Sequence, residues 1–84
     1  MRRVSFSHDA NKTLRAMPAN QRRLIVTKME QYAADPRSLA NNVKSLKGNR
    51  GYLRLRVGDW RVVFREDGAV VAVVRIASRG SVYD

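Results

Sequence analysis

The stretch from Tyr52 to Ala77 leaves this chain little choice of fold. Tyr52 to Val57 alternates, with Leu53, Leu55 and Val57 on one side and Tyr52, Arg54 and Arg56 on the other. Trp60 to Arg65 alternates again, setting Trp60, Val62 and Phe64 against Arg61, Val63 and Arg65. Period-two patterning of this kind is the mark of a half-buried strand. Ala69 to Ala77 is almost wholly apolar and rich in β-branched residues, which predicts a central strand buried on both faces. Gly58-Asp59 and Asp67-Gly68 fall between the runs, where tight hairpin turns are expected. The result is a three-stranded antiparallel meander.

The turns set a register. With Gly58 and Asp59 as a two-residue loop, Val57 faces Trp60, Arg56 faces Arg61, Arg54 faces Val63 and Tyr52 faces Arg65. One face then carries Leu53, Leu55, Val57, Trp60, Val62 and Phe64, the natural core side. The other carries Tyr52, Arg54, Arg56, Arg61 and Arg65. Like charges opposed across a ladder destabilise a sheet. Two readings account for the Arg56–Arg61 pair: an anion that sits over it, or guanidinium groups that fan apart in water. Strand geometry alone leaves both open. Arg75 counts onto the core side, where a cation–π contact with Trp60 is the simplest account.

The net charge bears on that choice. Seventeen Lys and Arg face seven Asp and Glu, for a charge of +10, and thirteen of the seventeen are arginine. The planar arginine fork suits phosphate and stacks on bases. A small basic chain of this sort points to nucleic acid or to an acidic protein partner. No cysteine and a single histidine, His8, argue against a metal centre. No apolar run approaches membrane-spanning length, and the N-terminal Arg2-Arg3 is not followed by the apolar segment of a secretory signal. The expected location is the cytoplasm.

The first half of the chain supplies the cover for the sheet. Arg3 to Ser7 is a short strand candidate, with Val4 and Phe6 on one face. Ser7 or Asp9 can cap a helix running to about Met17, with Ala10, Leu14 and Met17 as its apolar stripe. Pro18 punctuates, and a second helix runs from about Ala19 to Ala34. Ile25, Met29 and Tyr32 form its stripe, with Leu24 and Ala33 beside them. Asp35-Pro36 ends it. Residues 37–50 form a polar connection pinned by Leu39, Val43 and Leu46, in which Lys44, Lys47 and Arg50 add positive charge. The chain is expected to be a single α+β domain over residues 1–84: strand, helical hairpin, then three-stranded antiparallel meander.

Little conventional catalysis fits these residues. Asp59, Glu66 and Asp67 sit where turns are expected and are explained as turn chemistry. No carboxylate pair, serine triad or glycine-rich phosphate loop is present. What remains is the arginine face with Arg79 and Tyr83 at the end of the last strand. Such a cluster would hold a phosphodiester and stabilise the extra charge of a pentacoordinate phosphorane. RNA brings its own nucleophile in the 2′-hydroxyl. A phenol, with an ordinary pKa of about 10, would be drawn down by guanidinium neighbours and could move a proton.

The ordered set Leu46-Lys47-Gly48, Tyr52 to Phe64, Val74-Arg75-Ile76, Arg79 and Val82-Tyr83 resembles the RelE/ParE superfamily of toxin–antitoxin toxins, on the RelE side. The similarity spans essentially the whole chain. It implies a metal-independent endoribonuclease that cuts mRNA in the ribosomal A site by 2′-hydroxyl attack, needs no cofactor, and is neutralised by a cognate antitoxin. Carried onto this sequence, Arg61 and Arg79 stabilise the scissile phosphate, and Tyr83 orients a base or shuttles a proton. Arg54 and Arg56 hold the RNA backbone, with Lys47, Tyr52 and Arg65 as further RNA-binding residues. The sequence departs from the family at several points, and no histidine or glutamate stands near the site as a conventional base. Ala77-Ser78-Arg79 stands where many relatives have Gly-His-Arg or Gly-Lys-Arg, and Tyr52 stands where some RelE toxins place a catalytic lysine.

Two other functions fit the same fold: a ParE-like inhibitor of DNA gyrase without nuclease activity, and a catalytically weak RNA- or antitoxin-binding relative. The partner expected in every case is an acidic amphipathic antitoxin, drawn to the basic face and to Val63, Val70, Ala72 and Val74 on it.

Overall fold

The computed structural model describes residues 2–46 and 51–78. Lys47, Arg50, Arg79 and Tyr83 lie outside the described residues. The chain runs as β1 (Arg3–Phe6), α1 (His8–Ala16), α2 (Ala19–Ala34), a 3-10 segment (Pro36–Asn42), β2 (Val43–Ser45), β3 (Tyr52–Val57), β4 (Trp60–Glu66) and β5 (Val70–Ser78). The strands form one sheet in the order β1-β5-β4-β3-β2. β1 lies parallel to β5 and every other pair is antiparallel. This is the expected α+β arrangement, with β1 joining the sheet and β2 as an additional edge strand.

Each helix boundary has a local cause. Ser7 caps α1: its hydroxyl accepts the Ala10 amide at 3.1 Å and donates to the Val74 carbonyl at 2.8 Å. The cap therefore also ties the helix start to the middle of β5. Pro18 precedes α2, and its carbonyl accepts from the Gln21 and Arg22 amides. Asp35 closes α2 by donating its amide to the Gln31 carbonyl, and Pro36 opens the 3-10 segment. Ala10, Leu14 and Met17 of the first hairpin arm are buried, as are Ile25, Met29, Tyr32 and Ala33 of α2. Leu24 is not with them; it is 46% exposed. The buried stripe of α2 follows Ile25, Met29 and Tyr32, and Leu24 lies to one side of it.

The helices and the inner sheet face share one core. Leu55, Val57, Val62, Phe64, Val71, Val73 and Ile76 are buried against the helix stripes, and Val4, Phe6, Leu53 and Trp60 pack at its edge. Each such side chain contributes about 1.5–3 kcal/mol through apolar burial. Phe64 stands near the centre, fully buried, its ring edge-on to Tyr32 at 4.8 Å. Trp60 is half-buried, and its indole donates to Gln21 Oε1 at 2.9 Å.

The β3–β4 register agrees at every position with the one read from the turn. Gly58 has φ +57° and no non-glycine residue has positive φ among those described. A positive φ at the first loop position alone is the type II′ pattern, which matches the strand twist. At the next turn, Asp67 Oδ1 accepts the Ala69 and Val70 amides at 3.0 and 2.8 Å. Those two donors hold its carboxyl below the usual range.

Two expectations for β5 need correction. It is central in the sheet, yet Val70, Ala72 and Val74 are only half-buried, because the helices cover one face alone. Arg75 does not lie against Trp60. Phe64 pairs with Val73 and Val63 pairs with Arg75, so Val74 is an extra residue in a β-bulge. The bulge shifts the alternation by one and turns the exposed Arg75 to the outer face beside Val63.

Glu66 is likewise more than a turn residue. It ends β4, accepts the Tyr32 hydroxyl at 2.8 Å through Oε1, and pairs through Oε2 with Arg2. This trio joins the chain start, α2 and β4. Burial, helped by the hydrogen bond to Glu66 and by its charge, pushes the Tyr32 phenol from 10.0 up to about 12. A raised phenol pKa means that folding favours the protonated form. Its contribution is complete below about pH 10 and is lost as pH rises through about 12. The difference in phenolate absorbance between the parent and Tyr32→Phe should therefore show a midpoint near 12; a midpoint at 10 would mean that the phenol is neither buried nor bonded to Glu66 in solution.

Candidate nucleic-acid interface

The outer sheet face is where the charge collects. Its side chains fall into rows across the strands. Lys44 of β2 pairs with Arg54, which pairs with Val63, which pairs with Arg75. On one side of that row lie Arg56, Arg61 and Ala77; on the other lie Tyr52, Arg65 and Ala72. Six cationic side chains, Lys44, Arg54, Arg56, Arg61, Arg65 and Arg75, thus share a face. Among the described residues no carboxylate pairs across the strands onto these rows. Asp59 and Asp67 are in turns, and Glu66 follows Arg65 onto the opposite side of β4.

The face is uneven in depth. Arg56 and Arg65 are exposed, while Arg54 and Tyr52 are half-buried. Arg61 is 9% exposed, with Val63 and Ala77 buried around it. The sequence pattern set Arg61 on a solvated face; the structure keeps it on that face but sinks it into the surface. In a two-residue hairpin the pair next to the closing pair is not hydrogen-bonded, and its Cα atoms are about 4.5 Å apart. Arg56 and Arg61 occupy that position, so an exposed and a buried guanidinium stem rise side by side. A buried arginine beside other cations draws an anion strongly, because little water screens it.

Tyr52 and Arg65, paired across the ladder, are also in contact: the Arg65 guanidinium carbon lies over the Tyr52 ring, 5.3 Å from its centroid. Beside them Arg65, Glu66, Asp67, Val70 and Ala72 line an open groove of about 180 Å³. Of the residues singled out in the sequence, Arg54, Arg56, Arg61, Tyr52 and Arg65 are brought together here. Lys47, Arg79 and Tyr83 fall outside the described residues. Arg75 and Lys44 belong to the face as well. The bulge conceals Arg75 from simple alternation, and the three-residue β2 conceals the position of Lys44. No three His, Cys, Asp or Glu side chains gather as a metal site among the described residues.

Residues 4–83 match the family model of the ParE toxin of type II toxin–antitoxin systems, parDE. The chain belongs to the RelE/ParE family of toxins. Toxin RelE3 of Methanocaldococcus jannaschii is 30% identical over 84 residues, covering 98% of this chain and 96% of that protein. The RelE fold recurs in the archaeal RelE–RelB complex of Pyrococcus horikoshii OT3, with a TM-score of 0.79 at 22% identity over 96% of this chain and 98% of that one. It recurs again in the RelB–RelE antitoxin–toxin complex of Methanococcus jannaschii, with a TM-score of 0.75 at 27% identity over 96% of both chains. These relatives favour a RelE-type toxin over the gyrase-directed alternative. No helix among the described residues is long and apolar enough to cross a membrane.

Proposed function

We propose that this RelE/ParE toxin is an endoribonuclease that cuts mRNA in the ribosomal A site, and that its antitoxin covers the basic sheet face between uses. The observation that carries this reading is the outer face itself: Lys44, Arg54, Arg56, Arg61, Arg65 and Arg75 on one sheet surface, Arg61 buried in it, with no carboxylate in the same rows among the described residues.

The chemistry follows from that arrangement. The RNA 2′-oxygen attacks the adjacent phosphorus as its proton leaves. The bond from phosphorus to the 5′-oxygen breaks, and that oxygen takes a proton. The products are a 2′,3′-cyclic phosphate and a 5′-hydroxyl. Between them lies a phosphorane with one more negative charge than the ground state, and a guanidinium held beside it lowers the barrier. Arg61 takes that role, with Arg79 as its partner in the stabilisation. Arg54 and Arg56 hold the neighbouring backbone, and Lys47 is a further RNA-binding candidate. Arginine stays protonated and is a poor base. Proton transfer is therefore assigned to the Tyr83 phenol. The reaction as written needs no metal or cofactor.

The relatives crystallised with RelB support an antitoxin partner for this chain. An acidic amphipathic segment meets both the charge and the half-buried Val70, Ala72 and Val74. The cytoplasm is the location such a target requires.

The deciding experiment is a brief pulse of expression in cells, followed by mapping of new RNA 5′ ends on translated and untranslated copies of one message. New ends in the translated copy alone, at codon-phased positions, are expected. Growth arrest without new ends would move the assignment to a gyrase-type target.

A further inference from the structure

We propose that Arg65 and Tyr52 form a ledge on which one base of the bound RNA stacks, apart from the phosphate site at Arg61; this rests on the RNA-binding reading above. Four observations converge. The Arg65 guanidinium carbon lies over the Tyr52 ring, 5.3 Å from its centroid, so two flat groups already stand together. Arg65 is exposed and Tyr52 half-buried, so the outer layer is open to a ligand while the inner one is anchored in the sheet. Planar guanidinium and aromatic faces are the groups on which unpaired bases stack. The two residues pair directly across β3 and β4, so the sheet fixes their spacing.

The fourth observation separates base from phosphate. The groove beside Arg65 is lined by Glu66 and Asp67 as well as by Val70 and Ala72. Glu66 is held by Tyr32 and Arg2, so Asp67 supplies the local negative charge that disfavours a phosphate beside the ledge. Four residues away on β4, at Arg61 and Arg56, the surface is cationic, and among the described residues no carboxylate pairs onto these rows. At about 3.3 Å per residue the two ends are about 13 Å apart, a span that an extended RNA strand covers within a few nucleotides. The strand is thus gripped by phosphate at one end of the face and by a base at the other.

The test uses four-nucleotide 2′-O-methyl oligomers, which lack the nucleophile and survive binding. One version carries its bases and the other is abasic throughout, at the same charge. For the parent protein the bases should tighten binding by roughly 5- to 150-fold. Most of that advantage should vanish in Tyr52→Leu, which removes the ring. It should also vanish in Arg65→Lys, which keeps the charge and loses the plane. It should persist in Tyr52→Phe, which also shows that the site tolerates substitution. An unchanged base advantage in Tyr52→Leu and Arg65→Lys overturns the ledge. Equal binding of both oligomers by the parent overturns the ledge and leaves the phosphate site standing. No binding of either oligomer overturns both.

Discussion

Arg61→Ala should cut mRNA in a translating extract roughly 100- to 1000-fold more slowly than the parent, the loss seen when one preorganised donor to a developing oxyanion is removed. Its effect on folding should be small by comparison. Arg61 faces Arg56 across the ladder, and removing one member of an opposed like-charge pair offsets part of the packing lost with the stem. The two readouts therefore separate: cleavage collapses while the urea midpoint moves little. Arg61→Lys restores charge without the fork and should recover only part of the rate. Arg79→Ala should behave like Arg61→Ala. Growth arrest that persists in both alanine variants would sink the assigned mechanism, whatever the family.

The largest expected effect on stability lies on the other face. Phe64→Ala should cost about 3–5 kcal/mol, against a total of about 5–15 kcal/mol for a domain of ordinary stability. Phe64 is fully buried, stacks edge-on with Tyr32 and sits where both helix stripes meet the sheet. Tyr32, the ring beside it, is held by its bond to Glu66 and is not free to swing into the space. Equilibrium urea unfolding should show a much lower midpoint or an unfolded chain at the outset. By contrast Arg56→Ala, at an exposed position, should stay within about 0.5 kcal/mol of the parent. A Phe64→Ala protein with a parental midpoint would mean that the core is built differently.

Much of this was legible in the residues because the information was local. The β3–β4 register needs only two alternating runs and a two-residue loop, and every pair followed. Both helices could be bounded from Ser7, Pro18 and Asp35-Pro36, since caps and proline act within a turn of where they sit. What escaped was non-local or irregular. β2 is three residues long inside a polar connection, too short to show a period, and exists because β3 offers an edge. Glu66 meets Tyr32 across 34 positions of sequence, which no pattern reveals. Arg75 was misplaced by one extra residue in β5. For the site, alternation assigned Arg54, Arg56, Arg61 and Arg65 to one face correctly. It could not show that Arg61 is sunk into that face, because periodicity gives side and not depth.

The bulge at Val74 has a consequence for how this chain tolerates change. A strand of strict period two carries a single phase from end to end, so any insertion or deletion inverts everything beyond it. β5 already contains one inversion: Val71 and Val73 point to the core in one phase and Ile76 in the other. Val74 acts as a frame-shifter. Were Val74 instead drawn into the regular pairing, Ile76 would turn to water and Arg75 with Ala77 would turn inward. Deleting Val74 would leave Phe64 opposite Val73 and Val63 opposite Arg75 in an unbroken ladder, so within β5 this half-buried valine is the residue whose loss the register tolerates best, at the cost of the carbonyl that accepts the Ser7 cap.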